Sequence, residues 1–313
     1  MITIWVPKRL VEIDLYNVAA RSPQALAQLS ENSYARRVQY AAQKVRGSGA
    51  KIVMLTGPSA SGKTTSAHCL AKALVQQGTP AQVVSLDNFF KGAAYYPKMP
   101  DGTLDYENLE TLDLPLIKQC LRQLSETGKT ELPIYDFATE QRSAAVEPID
   151  LQGGVCIVEG IHALNDDIAG PHPEAAKLYI SARSNVNDGA ALRFKGTWMR
   201  LTRRAVRDYS FRGTGVADTL EMWANVRRGE KLYISPYKNR ADIIFDSSLP
   251  YEVSVMKNFA LPLLQAVPEE NARRGELLEL IEAFQWFEPI DPELVPVDSL
   301  LREFIGGGSY KYH

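Results

Sequence analysis

Residues 51–65 read Lys51-Ile-Val-Met-Leu-Thr-Gly57-Pro-Ser59-Ala60-Ser61-Gly62-Lys63-Thr64-Thr65. The apolar run 52–55 has the composition of a short buried strand, and 66–75 that of a helix. Between them lies G-x-x-x-x-G-K-T, a phosphate-binding loop in the strand–loop–helix setting it requires. The spacing follows from the chemistry. Gly57 and Gly62 let the backbone curl inward, so amides along Ser59, Ala60, Ser61 and Gly62 converge on one phosphate chain. The helix that starts near Gly62 adds its positive end, with Thr65 in its first turn. Lys63 reaches the terminal phosphates, and the Thr64 hydroxyl can ligate Mg²⁺.

Composition narrows the class. The chain has 313 residues, enough for one large α/β domain or a domain with extensions. A net charge of −2 provides no broad basic face, so nucleic acid is not an expected partner. No apolar run approaches a membrane span. Pro7, Lys8, Arg9, Glu12 and Asp14 interrupt any signal-peptide core, so a cytoplasmic protein is expected. Cys69, Cys120 and Cys156 lack zinc or redox spacing and read as small buried residues.

Working outward, Ser22-Pro23 reads as a cap plus a first-turn proline opening a helix to about residue 46, ended by Gly47-Ser-Gly49. Residues 1–49 thus form an N-terminal extension. Past the loop helix, 81–86 reads as a strand ending in Asp87-Asn-Phe-Phe90. Ligands gather at the carboxyl ends of parallel strands, so Asp87 is placed to meet Mg²⁺ or an attacking hydroxyl; a turn-capping Asp is the alternative. A helix is expected over 108–126 with an interruption near Pro115, a short strand over 133–137, and a polar turn over 139–142. The run 155–159 is a buried strand ending in Glu159, either a second magnesium contact or a strand-end surface residue. Further strands are expected over 177–181 and 241–245. Arg200, Arg203, Arg204 and Arg207 share one helix face. They read as a solvated basic face or as a lid over a triphosphate, with Gly213 and Gly215 as a hinge. Residues 249–313 form a C-terminal helical extension whose glycine-rich tail can pack back on the domain.

Several stretches together resemble the uridine kinase and phosphoribulokinase family of phosphate-loop kinases. They are the loop 57–65, Ser85-Leu-Asp87-Asn-Phe-Phe90, Pro133-Ile-Tyr-Asp-Phe137, Val158-Glu-Gly-Ile161, Arg203-Arg-Ala-Val-Arg-Asp208 with Arg212-Gly213, and 233–244. The likeness covers residues 50–248. It implies a five-stranded parallel sheet flanked by helices with a helical lid. It also implies ATP and Mg²⁺, and phosphorylation of a ribose-like hydroxyl on a small polyol or nucleoside. By this resemblance Asp87 is the general base, Asp105 grips sugar hydroxyls, and Tyr135 and Arg204 belong to the substrate pocket. Arg207 and Arg212 match lid arginines on the ATP phosphates, and Glu159 the second magnesium-associated acid.

The departures concern the base. Glu140 stands where uridine kinases carry a histidine that reads the pyrimidine, Thr214 where they carry an arginine, and Met222 where they carry a glutamine. The expected activity is therefore ATP-dependent phosphoryl transfer with altered acceptor reading. A genuine uridine or cytidine kinase, a sugar-phosphate kinase and a non-catalytic nucleotide-binding regulator remain as alternatives. Oligomeric state, a homo-oligomer included, is left open.

Overall fold

The computed structural model describes residues 10–137 and 139–310; the first nine residues of the N-terminal extension lie outside them. Strand β1 (Leu10–Glu12) leads into helix α1 (Ile13–Ala20). α2 (Pro23–Ser48) carries proline in its first turn, where a missing N–H is harmless, and Gly49 closes it in a left-handed conformation, φ +70°. β2 (Ile52–Thr56), buried throughout, feeds the phosphate loop and α3 (Lys63–Gln76). β3 (Ala81–Ser85) ends in a 3-10 turn, Leu86–Phe89.

The next helix departs from expectation. α4 (Leu114–Thr127) takes Pro115 into its first turn rather than being interrupted by it, and Asp113 caps the helix by accepting from the Leu116 amide. A second departure follows. β4 (Lys129–Asp136) and β5 (Gln141–Asp150) form an antiparallel hairpin, so the polar segment after residue 140 is a strand. β5 is mostly exposed, and a strand that buries neither face shows no period-two pattern.

β6 (Val155–Glu159), the short α5 (Asp166–Ala169) and β7 (Ala176–Ser181) come next. β8 (Asn185–Asp188) and β9 (Ala191–Phe194) lead into α6 (Gly196–Phe211) and α7 (Val216–Gly229). β10 (Ile243–Asp246), α8 (Glu252–Gln265), α9 (Arg274–Gln285) and α10 (Arg302–Ile305) complete the chain.

The main sheet is five-stranded and parallel, in the order β10-β7-β2-β6-β3. Its register positions the site. Glu159 lies beside both Leu55 and Ser85. The ends of β2, β3 and β6 are therefore level, and the phosphate loop, Asp87 and Glu159 emerge at one edge. That is where open α/β sheets bind ligands.

Both terminal segments pack against this unit. The Tyr34 hydroxyl on α2 meets Ser66 Oγ on α3 at 2.8 Å. Tyr16 on α1 donates to Ser254 on α8 at 3.0 Å, so the two extensions also meet each other. β1 pairs with β8 in a small three-stranded sheet that the sequence did not announce. Cys120 and Cys156 are buried and Cys69 half-buried, all free thiols. Among the described residues, no helix is long and apolar enough to cross a membrane.

Candidate active site

The phosphate loop has the geometry of an anion cradle. A Cβ at Gly57 would fall 2.1 Å from the Ile180 carbonyl, so only glycine lets the loop press on β7. Gly62 and Ala60 hold left-handed backbone, φ +80° and +56°, which turns successive amides toward one side. The loop is braced from beneath by α6 and by the strand end of β10. Arg200 donates to the Ser59 carbonyl at 3.2 Å, Arg204 to Ser59 Oγ at 2.7 Å, and Ser247 Oγ to the Ser61 carbonyl at 2.6 Å.

One cavity of about 400 Å³ opens over this loop. Ser59, Ala60, Gly62, Lys63 and Thr64 line its floor, Asp87 and Glu159 one wall, and Arg204, Arg207 and Arg212 another. Gly57, Ser61 and Thr65 stand behind that surface. Lys63 Nζ rests on the Pro58 carbonyl at 3.2 Å. Burial pushes its ammonium down, opposed by Glu159 and Asp87.

Glu159 is 3 % exposed, so it is no strand-end surface residue. Its Oε1 accepts from Ser85 Oγ at 2.8 Å and from Thr64 Oγ1 at 3.3 Å. Burial, and then the neighbouring Asp87 charge, push its carboxyl up to about 7. Asp87 does not cap the 3-10 turn; Ser85 does, accepting from the Asp87 amide. Two carboxylates and the Thr64 hydroxyl thus line the cavity beside Lys63. Among the described residues no three acid, His or Cys side chains are arranged to hold a metal unaided. The set fits Mg²⁺, which takes few protein ligands and fills its octahedron with water and phosphate oxygens.

The basic stretch divides. Arg203 is fully buried, donating to Glu252 on α8 and to the Ser247 carbonyl. Arg200 is 2 % exposed and paired with Glu230 at 2.7 Å. The solvated-face reading therefore fails for these two, which brace the loop. Arg204 and Arg207 share Asp208, at 3.2 and 2.7 Å, and face the cavity with the half-exposed Arg212.

The rest of the cavity lining is aromatic and acidic. Phe90, Tyr106 and Phe137 belong to it, with Glu107, Glu140, Thr214 and Met222. The three positions that depart from the uridine kinase pattern thus all line this cavity. Arg142 does not pair with Glu140. It binds Asp113 at 3.0 Å and the carbonyls of Phe89 and Phe90. Tyr135 lies behind Phe90 and Phe137, its hydroxyl 3.2 Å from that of Tyr96. Asp105 also sits behind the lining, accepting from the Tyr233 hydroxyl at 3.2 Å and facing Arg228 at 3.6 Å. Tyr106, Glu107 and Glu303 line the cavity although no sequence pattern singled them out.

The model of the phosphoribulokinase / uridine kinase family matches residues 52–254. The chain belongs to that family. Among curated members, a uridine kinase of Lactobacillus johnsonii is 29% identical over 208 residues, covering 65% of this chain and 90% of its own. One of Lactobacillus helveticus is 28% identical over 209 residues, with the same coverage. A solved structure from Silicibacter sp. TM1040, described as a candidate fructose transport system kinase, superposes with a TM-score of 0.52 at 22% identity. It covers 66% of this chain and 98% of that one, and shows the shared phosphate-loop kinase fold. The matched span leaves out residues 1–51 and 255–313.

Proposed function

We propose that this family member transfers the γ-phosphoryl group of ATP to a hydroxyl of a small ribose-like or polyol acceptor. The observation that carries this reading is the single cavity shared by Lys63, Asp87, Glu159 and three arginines. Phosphoryl transfer has a loose, charge-spread transition state, so it needs positioning and positive charge more than covalent help. Lys63, the loop amides, Arg204, Arg207 and Arg212 supply the charge. Asp87 accepts or orients the proton of the attacking hydroxyl. Thr64, Asp87 and Glu159 would hold Mg²⁺, which supplies charge neutralisation at the phosphates.

The acceptor is not expected to be uridine. A pyrimidine carbonyl needs a donor, and Glu140, when ionised, only accepts. Glu140 makes no ion pair among the described residues, so no partner neutralises it. Thr214 brings a hydroxyl but no cation to the cavity lining, and Met222 brings no donor. A polyol, or an acceptor presenting a donor such as an amine to Glu140, fits better. Single-turnover ATP consumption with a panel of nucleosides, sugars and polyols tests the reading. A specificity constant for uridine or cytidine of ~10⁴ M⁻¹s⁻¹ or more would sink the acceptor assignment. ATP consumption unaffected by every acceptor would sink the kinase reading.

A further inference from the structure

Glu107 stands in the loop between Asp105 and the 3-10 turn Leu109–Thr111. Its Oε2 is shielded from solvent and has no hydrogen-bond partner among the described residues. Its stem crosses α7 at Gly229. A Cβ there would lie 2.4 Å from the Glu107 Cβ and 2.7 Å from its Cγ, so helix α7 has a gap where this side chain enters the cavity wall. The nearby cations are engaged elsewhere, Lys63 on the Pro58 carbonyl and Arg204 on Ser59 and Asp208. Burial pushes the Glu107 carboxyl up, opposed by the charges of Arg204 and Lys63 and reinforced by the weaker influence of Asp87 and Asp105. An unpaired carboxylate oxygen held out of water is costly unless a ligand satisfies it.

We propose that Glu107 is a specificity-determining residue for the acceptor, taking a hydrogen bond from a second hydroxyl or amino group of a neutral molecule. This rests on the phosphoryl-transfer reading above. Asp87, Glu107 and Glu140 line the acceptor end, with Asp105 behind them. A phosphate or carboxylate placed beside these carboxylates is repelled, although Arg204, Arg207 and Arg212 line the same cavity. A site that must satisfy a buried acceptor oxygen also rejects analogues lacking the matching donor.

The test is calorimetric binding of uridine, ribitol and ribose 5-phosphate to the full chain in ADP and Mg²⁺, alongside a separate ATP titration. At least one neutral probe is expected to bind, and ribose 5-phosphate to bind more weakly. Glu107→Ala should weaken the neutral probe by about 10- to 100-fold, the range for hydrogen bonds to charged groups. Glu107→Gln should weaken it less, and both should leave the ATP dissociation constant within about twofold. Gly229→Ala, which displaces the Glu107 stem, should weaken the same probe without removing the carboxylate. Acceptor affinity unchanged in Glu107→Ala overturns the proposal. So do equal losses for ATP and acceptor, tightest binding by ribose 5-phosphate, or no binding by any neutral probe. If a neutral probe binds through Glu107 but no probe is phosphorylated when ATP replaces ADP, the phosphoryl-transfer reading fails and Glu107 is left as a ligand-binding residue only, so the two failures are distinguishable.

Discussion

Glu303, in the C-terminal helix α10, accepts hydrogen bonds from both the backbone amide and the hydroxyl of Thr65, at 3.3 and 2.5 Å. The tail carboxylate therefore sits on the first turn of the phosphate-loop helix, the end that attracts anions. Leu300 lies alongside, its Cδ1 only 2.5 Å from where a Gly62 Cβ would stand. The tail thus packs back on the loop itself.

Replacing Glu303 with Gln keeps a hydrogen-bonding group beside Thr65 and removes a negative charge from the edge of the triphosphate site. ATP should bind about 2- to 5-fold more tightly, as expected for one charge at a helix N-terminus. Weaker binding, read by equilibrium titration, would show that the carboxylate shapes the loop instead.

Lys63→Ala should lower turnover by about 10²–10³-fold, the usual loss for one donor on a charged transition state. Among the described residues the ammonium hydrogen-bonds the Pro58 carbonyl and faces the cavity, so the thermal midpoint should move by no more than a few degrees. Near-normal turnover with any acceptor would refute the site.

Asp87→Asn should cost about 10²–10⁴-fold in turnover, as for a lost general base, while the ATP dissociation constant changes far less. Equal losses in the two would make Asp87 a magnesium or structural group only.

The arginines of α6 should split into two classes. Arg203→Ala strands Glu252 in the core, and removing one partner of a buried pair costs about 3–5 kcal/mol. Arg207→Ala and Arg212→Ala should slow transfer with small effects on stability, because both side chains face the cavity. Denaturant unfolding and steady-state rates on the same proteins separate the classes. Silence of both cavity arginines in turnover would remove them from the site.

Burial pushes the His162 imidazole from 6.5 down to about 4. The folded state holds it neutral, whereas the unfolded chain takes up a proton near its ordinary value. Its contribution to stability is present above pH 6.5 and is lost as pH falls toward 4, by up to about 3 kcal/mol. His162→Gln should flatten the fall in unfolding free energy across that window. An unchanged slope would place the acid sensitivity on the carboxylates instead.

What the sequence determined by itself is local. The phosphate loop is legible because glycine spacing, lysine and hydroxyl all lie within nine residues, and α2 because Pro23 and Gly49 mark its ends. Strand ends brought Asp87 and Glu159 to one end of the sheet, but a turn cap and a surface position stayed open for them until burial and the Ser85 cap were seen. The tertiary structure decided what depends on residues distant in sequence. Four arginines at helical spacing look equivalent in the chain, yet Arg203 is a core ion pair because Glu252 arrives from α8. Glu303 reaches Thr65 across 238 positions, a pairing that no local pattern encodes. Glu107 shows no periodicity at all; its place in the cavity wall depends on the gap at Gly229, which exists only once α7 has packed. Hydrogen bonding and apolar period act over a few residues, whereas burial and charge pairing are set by whichever segments the fold brings together.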